Sequence, residues 1–495
     1  VYALDNGKAY VKGYEIELIS SKFLEVDKAR DTKTSQNYTL SSSQGNYVIV
    51  DNVEGTFDIS AYEDVTLKDV SVATIGTAKV SGMVLVSGTP GQVATTYKLF
   101  LFDIVMNTGK TFSEVITITG DDHGAVAKPV LESSAAVLYY PNTVNAILST
   151  SEYAIKSISD ISYTTRRYHS GAMSTTTLTL TANTGETFAS GNVINYHVSI
   201  LSASATALGN GYANGDIIDM SDTGNLITLG GSPTGKQVTL TIPAISGSTI
   251  AVISTVTKTS PTIKTKTLTS RTQAALAHGA TVTLDKADIF DIVSIIDNTS
   301  LVDITSHYVL DNGQRDSYYD RGRLIFNSGF AAPAGTISVT YRYLAHGAGD
   351  LFTVDSYNAV IDYADIPLYR STTGKSYDMI NCLDFRPRIN DAGTGFSVTS
   401  EVVADGQTVL FDYEYYLGRI DKIVLDSSGN FNVISGVSDI YPLPPKDPIN
   451  AMVLYQVSLP PYTFNATDAT FSMIDNRRYT MRDIGKLENR IDTLE

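Results

Sequence analysis

The residues closest to a metal-binding set are Asp121, Asp122 and His123, which follow Gly120. Such ligands hold a cation only if they converge on one point. Consecutive residues of a strand point to opposite faces, so this trio would need a tight loop to converge. None of the six histidines stands in the His-x-x-x-His spacing of zinc-binding helices. We therefore expect a solvated turn here, with no bound metal and no other cofactor.

Two glycine-containing runs come close to a phosphate-binding loop without matching it. Gly230–Lys236 has the glycine spacing, but Gln237 occupies the position of the magnesium-binding Ser or Thr. Gly374–Ser376 has the right ending, but Tyr369 stands where the first glycine belongs. Neither run precedes a helical pattern, so both are expected to be ordinary turns.

A charged segment follows the single cysteine of the chain. In an extended strand Asp384, Arg386 and Arg388 share one face, so Asp384 can pair with Arg386. A structural clamp is favoured over an anion-binding site. Cys382 excludes intrachain disulfides and is expected to be a small buried residue rather than a nucleophile.

The sequence offers few groups that could converge to form a catalytic site. A glycosidase needs two carboxylates facing each other across a cleft. Among 52 acidic residues the sequence neither identifies nor excludes such a pair. We predict no catalytic residues and no enzyme activity, and a depolymerase stays open as an alternative.

The composition narrows the range of partners. The chain has 36 Lys and Arg against 52 Asp and Glu, a net charge of −16. The sequence therefore predicts no nucleic-acid partner and no anionic membrane surface as a partner, because phosphate contacts need a basic surface. No window approaches 18 uninterrupted apolar residues, so no membrane-inserted helix is predicted. The 30 Tyr, with no Trp, favour strands and half-exposed interfaces.

Alternating patterns predict a mainly β fold. Lys8–Leu18 and Ile337–Tyr343 alternate between apolar and polar residues, as in strands buried on one side. Tyr97–Ile104 is apolar on both faces at its centre and predicts a buried strand. Val144–Asp160 fits either one helix or two short strands. We predict several β-sandwich-like modules in an elongated chain that ends in a C-terminal coiled-coil helix.

Composition changes along the chain predict its domain organisation. The region 171–251 contains few charged residues, and Ser, Thr, Gly and Asn take their place; these charged residues are Glu186, Asp216, Asp219, Asp222 and Lys236. We predict an N-terminal β region at 1–168, a Ser/Thr-rich module at 169–255 and further β modules at 256–440. A Pro-rich junction at 441–479 precedes the start of a stalk at 480–495. The Ser/Thr-rich module is either a binding face or a solvated spacer.

The last sixteen residues carry a helical repeat. Its apolar positions are spaced three and four apart, as in one seam of a coiled coil, and they are Ile484, Leu487, Ile491 and Leu494. Thr480 is placed to cap the helix. Arg490 and Glu495 bracket the last two seam positions as in short parallel trimeric coiled coils. Ile followed by Leu along the seam favours two strands instead, so dimer and trimer both remain open.

Five runs occur together and in order in this chain: Gly7–Glu15, Asp311–Asp316, Leu383–Arg388, Tyr415–Ile423 and Tyr479–Glu488. As a set they resemble an uncharacterised domain family of large virion structural proteins of contractile-tailed cyanophages. The resemblance does not cover the charge-poor region. It implies a tail-fibre or baseplate-associated component and brings no catalytic residues.

The resulting hypothesis is a structural protein of the virion tail that acts in assembly and host attachment. Its expected partners are two further copies of the chain, other tail proteins, and a glycan or protein of the host surface. A tailspike-like polysaccharide depolymerase and a bacterial surface adhesin are the alternatives. The chain also reads as a fragment of a longer polypeptide, since it stops within the helical repeat.

Overall fold

A computed structural model describes residues 1–42, 46–140, 146–150, 154–357, 361–397, 403–476 and 481–493. Within these ranges the chain is mainly β, as predicted. Its contacts divide it into two compact units. The smaller unit comprises the described residues of 1–34, 153–156 and 414–495, and the larger unit comprises those of 35–152 and 157–413.

The elements follow one another in short succession. The first 140 residues form β1 (Tyr2–Leu4), β2 (Gly7–Val11), β3 (Tyr14–Leu18), β4 (Lys22–Leu24), β5 (Thr32–Ser41), β6 (Tyr47–Glu54), β7 (Asp64–Lys68), β8 (Thr74–Ser87), β9 (Thr96–Met106), β10 (Thr117–Gly120), β11 (Val126–Pro129) and β12 (Leu138–Tyr139). Residues 146–260 form β13 (Ile147–Ser149), β14 (Ile155–Ala172), β15 (Thr177–Thr181), β16 (Glu186–Phe188), β17 (Tyr196–Ser202), α1 (Ala205–Gly209), β18 (Leu226–Gly230), β19 (Gln237–Thr241) and β20 (Thr249–Thr259).

The second half of the chain continues in the same way. Residues 261–397 form β21 (Lys266–Ala277), β22 (Thr281–Ala287), β23 (Ile289–Asp297), β24 (Tyr308–Asp311), β25 (Arg321–Phe326), β26 (Thr336–His346), β27 (Leu368–Arg370), β28 (Ser376–Asp378), β29 (Cys382–Asp384), β30 (Arg388–Ile389) and β31 (Phe396–Ser397). Residues 403–493 form β32 (Thr408–Tyr416), β33 (Arg419–Asp426), β34 (Phe431–Ile434), β35 (Ala451–Leu459), β36 (Thr470–Met473) and α2 (Met481–Asp492). Neither α-helix of the described ranges is long and apolar enough to cross a membrane.

The larger unit contains several separate apolar cores, and the first lies inside a closed sheet. Strands β6 to β11 form a sheet in the order β11-β10-β7-β8-β9-β6, and β11 also pairs with β6, so the sheet closes on itself. Its core contains Val50, Leu67 and Leu99, all fully buried. The predicted buried strand Tyr97–Ile104 lies within β9 and is confirmed.

The charge-poor region has a core of its own. Strands β15, β19 and β18 form a three-stranded sheet, and β16 and β17 both pair with β20. Val198, Leu240 and Ile250 are buried together in this core. The predicted domain boundaries remain a prediction.

The strands β21 to β26 form two small sheets, in the orders β21-β26-β23 and β22-β25-β24. The predicted strand Ile337–Tyr343 lies within β26, and its alternate residues Ile337, Val339 and Tyr341 are buried. These two sheets share one core, and they place the polar side chains described below.

The backbone conformation settles two predictions that were made from the sequence. The prediction of one strand from Lys8 to Leu18 is wrong, because β2 and β3 form a hairpin that turns at Lys12 and Gly13. Both turn residues have positive φ, +51° and +88°, and Lys at such a position gives no turn signal comparable to Asn-Gly. In 144–160, the described residues form the strands β13 and β14 rather than a helix.

The smaller unit contains the β2–β3 hairpin, the pair β1–β4 and a four-stranded sheet in the order β34-β33-β35-β36. The predicted strand Ala451–Ser458 is confirmed as β35. α2 is one helix of 12 residues. Within the described residues the chain therefore ends in a short helix, which by itself does not support a coiled coil. Thr480, Leu494 and Glu495 lie outside the described residues.

Replacing Gly313 by Ala tests the turn that follows β24. Gly313 has φ +85°, and an added Cβ would lie 2.2 Å from the carbonyl oxygen of Asp320. We expect Gly313→Ala to lower the free energy of unfolding by about 3 kcal/mol or more. Gly374→Ala is the matched control, because Gly374 has φ +84° with no atom near the added Cβ, and should cost about 1 kcal/mol. Equal losses in urea unfolding would contradict the proposed clash.

Candidate functional site: a buried ionic network and an exposed helix seam

The loop at Asp121–His123 is anchored by a buried carboxylate. Glu63 accepts hydrogen bonds from the backbone N–H groups of Asp122 (3.0 Å) and His123 (3.3 Å). The ring of His123 stacks on Tyr168. Over the described part of the chain, no three His, Cys, Asp or Glu side chains are placed to hold a metal ion. The turn predicted from sequence is confirmed.

The two glycine-containing runs are also turns. Gly230–Lys236 connects β18 to β19 in a hairpin, with φ +84° at Gly231 and +90° at Gly235. Gly374–Ser376 closes the β27–β28 hairpin. A phosphate-binding loop leads into a helix whose N-terminus faces the phosphate. Both runs lead into strands instead.

Cys382 lies at the start of β29 and is fully buried, as expected. Its thiol donates a hydrogen bond to the carbonyl oxygen of Asp378 at 3.0 Å. Burial raises the pKa of this thiol to about 12. Cys382 is therefore protonated near neutral pH and a poor nucleophile.

The clamp predicted between Asp384 and Arg386 is present and has no solvent exposure. Arg386 Nε and Nη2 each lie 3.0 Å from a different oxygen of Asp384, a bidentate geometry. Arg386 also donates to the carbonyl oxygen of Arg315 at 3.0 Å and lies over the ring of Tyr319. The carboxylate of Asp384 accepts a further hydrogen bond from the Tyr319 hydroxyl.

A second buried ion pair lies beside this clamp. Lys266 begins β21 and is paired across the sheet with His346, the last residue of β26. Asp288 lies between β22 and β23 with φ +54°. Its Oδ2 accepts from Lys266 Nζ at 2.7 Å and lies 2.8 Å from His346 Nε2. Lys266 and Asp288 are both essentially inaccessible to solvent.

Two polar side chains connect the pairs. Gln314 donates from Nε2 to Asp288 Oδ1 at 3.1 Å and accepts from Arg386 Nη2 at 3.3 Å. The Tyr319 hydroxyl accepts from Lys266 at 3.1 Å and from Arg386 at 2.9 Å. We call these residues the buried ionic network: Lys266, Asp288, Gln314, Tyr319, His346, Asp384 and Arg386.

The charges within the network compensate one another. Burial alone would raise the pKa of Asp288, but Lys266 and His346 outweigh burial and hold that pKa low. Burial would likewise raise the pKa of Asp384, and Arg386 holds it low. Burial lowers the pKa of His346 to about 4 despite the adjacent Asp288. Near neutral pH the two cations and two anions therefore cancel, and His346 is uncharged.

Only part of the network follows from the sequence. The spacing of Asp384 and Arg386 indicated one pair, whereas Lys266, Asp288 and His346 were missed. They come together because β21 and β26 pair in a register that places Lys266 beside His346. The available signal was a histidine at the end of the alternating strand β26. That signal does not identify the partner Asp288.

A second buried histidine lies in β17. His197 Nε2 donates to the carbonyl oxygen of Gly55 at 3.1 Å, and Nδ1 lies 3.1 Å from the Tyr97 hydroxyl. Burial lowers the pKa of His197 to about 4. Both ring nitrogens of the neutral imidazole are therefore used inside the fold, which is a structural role.

The smaller unit contains an apolar cavity of about 670 Å³. Residues that line it include Leu4, Ile16, Leu18, Ile423, Phe431 and Phe471. The Tyr2 ring, also in the lining, packs edge-on against Phe471, and its hydroxyl donates to the carbonyl oxygen of Ala466. The lining is suited to an apolar side chain or ligand rather than to polar chemistry.

The helix α2 exposes the seam predicted from the sequence. Ile484, Leu487 and Ile491 are 48 %, 43 % and 59 % exposed. We call these three residues the α2 seam. Arg490 lies in the last turn of the helix. The oligomerisation role predicted for the seam, Arg490, Leu494 and Glu495 remains a prediction.

These features define a mainly β protein with a buried ionic network and a C-terminal helix that exposes three apolar side chains. The family model described as a domain of unknown function (DUF4815) matches residues 234–495, more than half of the chain. The chain therefore belongs to the DUF4815 family. No curated protein and no solved structure matches it. The family description assigns no activity and no virion role.

Removing Arg386 tests the clamp. Arg386→Met leaves the carboxylate of Asp384 buried without its guanidinium, so we expect the free energy of unfolding to fall by about 3–5 kcal/mol. Arg388→Met is the matched control. It removes the partially exposed pair of Arg388 with Asp391 and should cost about 1 kcal/mol or less. Similar losses for both variants in urea unfolding would refute the clamp.

Acidification tests the neutral state of His197. The unfolded chain takes up this proton near pH 6.5, whereas the folded chain takes it up only near pH 4. Lowering the pH across this window therefore favours the unfolded state, by about 3 kcal/mol for this residue. His197→Gln should reduce the slope of unfolding free energy against pH between 6.5 and 4. An unchanged slope would contradict the assignment.

Proposed function

We propose that this chain is a structural component of a phage virion tail, associated with the tail fibre or baseplate, and that it assembles as a homotrimer through α2. The observation that carries the proposal is the exposed α2 seam. A helix of 12 residues is marginal in water by itself, because isolated helices need about 12–15 residues even in favourable sequences. Partner helices that cover the seam would stabilise it.

The charges beside the seam favour a parallel arrangement. With Ile484 and Ile491 as first seam positions, Arg490 precedes a first position and Glu495 follows a second one. In parallel helices these flanking positions of neighbouring chains approach each other, so Arg490 of one copy can pair with Glu495 of the next. This charge pattern supports trimers, whereas the Ile-then-Leu seam supports dimers.

The virion role rests on the sequence resemblance and on the character of the fold. The ionisable groups of the buried ionic network are engaged in ion pairs and hydrogen bonds with one another. Groups engaged in this way suit a mechanical role better than catalysis, so the proposal includes no catalytic step. The charge-poor region offers a face for host glycan or protein. Thr179 and Thr239 lie opposite each other on the β15–β19 pair, with their hydroxyls 3.0 Å apart and accessible to solvent.

The absolute mass of the purified chain tests the assembly. We expect light scattering to give three times the 53.3 kDa of one chain. The triple variant Ile484→Asn, Leu487→Asn, Ile491→Asn should fall to the mass of one chain, because the seam becomes polar. The matched control Lys486→Gln, Asn489→Gln changes the same helix outside the seam and should keep the trimer.

Three outcomes separate the possibilities. A dimer would support the seam and overturn the trimer. A single-chain mass for the unaltered protein would overturn assembly through α2. Absence of the chain from purified tailed particles of its source, measured by mass spectrometry of their proteins, would overturn the virion role.

A further inference from the structure

Lys266 and Asp288 are placed as two reactants as well as an ion pair. Lys266 Nζ lies 2.7 Å from Asp288 Oδ2, and both side chains are shielded from solvent. Three aromatic rings surround the amine, with Tyr319, Phe352 and Tyr357 centroids 4.6, 4.7 and 4.9 Å from Nζ. Holding the amine beside the carboxyl group makes their reaction effectively unimolecular, which removes the entropic cost of bringing two reactants together.

We propose that Lys266 and Asp288 become joined by an intramolecular amide bond. A proton first passes from the ammonium group of Lys266 to the carboxylate of Asp288, giving an amine and a carboxylic acid. Nζ then attacks Cγ, the Nζ–Cγ bond forms, and one Cγ–O bond breaks. The leaving hydroxyl takes the second proton of the amine and departs as water. The condensation requires no oxidant, reductant or other co-reactant.

Neighbouring groups are positioned for the separate steps. His346 Nε2 lies 2.8 Å from Oδ2, where the N–H of a neutral imidazole can donate a hydrogen bond to the leaving oxygen. Gln314 donates from Nε2 to Oδ1 at 3.1 Å, which stabilises the negative charge that develops on Oδ1 in the tetrahedral intermediate.

The backbone holds the carboxyl group towards the amine. Asp288 has φ +54°, a conformation that Asp adopts more readily than most residues but that still costs free energy. The carbonyl oxygen of Asp288 accepts a hydrogen bond from the N–H of Leu344 at 2.9 Å. The hydrogen bond from Leu344, a residue of β26, therefore helps to hold Asp288 in this strained conformation.

Charge balance permits the product. The ion pair is the resting form, because Lys266 holds the pKa of Asp288 low, so the neutral pair is a minor species and the reaction is slow. Bond formation removes one positive and one negative charge together. Asp384 and Arg386 remain paired, so no buried charge loses its partner. Exclusion of water also protects the amide from hydrolysis.

The bond would close the chain between the first residue of β21 and the connection from β22 to β23. It would fix the edge strand β21 to the neighbouring part of the fold, whichever partners the protein has. The inference rests on the buried pair and not on the proposed virion role.

Intact-mass spectrometry of the purified full chain tests the bond. We expect a mass about 18 Da below that of the sequence, the loss of one water. Tryptic digestion should yield one branched peptide that contains both Lys266 and Asp288. A full mass after prolonged incubation of the folded protein, with the two peptides separate, would overturn the proposal.

Two variants assign the loss to this pair. Lys266→Met removes the amine and should restore the full mass of its own sequence. Asp288→Asn should instead lose ammonia, about 17 Da, because an amide replaces the carboxyl group. This second variant also serves if Lys266→Met does not fold. A deficit of 18 Da in both variants would place the dehydration elsewhere and overturn the proposal.

Discussion

Charge neutrality inside a water-free core is the constraint on which the centre of the larger unit depends. Lys266, Asp288, Asp384 and Arg386 are all buried, and each would carry a large desolvation cost without an opposite charge in contact. Gln314 and Tyr319 connect the two pairs. Because the donors and acceptors have fixed directions, the network positions the start of β21 relative to the ends of β26 and β29.

Apolar packing supplies the stability that such a network does not. Replacing a buried ion pair by apolar residues is often neutral, so its contribution is better understood as specificity of arrangement. The aromatic rings around Lys266 and Arg386 contribute both to apolar packing and to the specificity of the arrangement. Tyr319 and Phe352 bury large apolar surfaces while they face cations. The sheets themselves rest on ordinary cores, such as that of Ile337, Val339 and Leu324.

The family match extends over the whole network and the C-terminal helix. Its description assigns no activity, so function has to be argued from chemistry. The buried ionic network and the exposed helix surface bear on different aspects of function. Inside, the ionisable groups of the network are engaged with one another. Outside, the α2 seam leaves apolar surface in water, and this surface is what an assembly of identical chains would bury.

The sequence alone determined the mainly β fold, the buried strand in β9, the strand β35, the turns at both glycine-containing runs and the Asp384–Arg386 pair. These features depend on residues close together in the chain, where alternation and spacing decide the outcome. The hairpin turn at Lys12 was missed, because positive φ there is imposed by the pairing of β2 with β3 and not by residue type. Only the tertiary structure decided that Lys266, Asp288 and His346 meet. Strand register sets that meeting, and register follows from the burial of a whole sheet face rather than from any local signal.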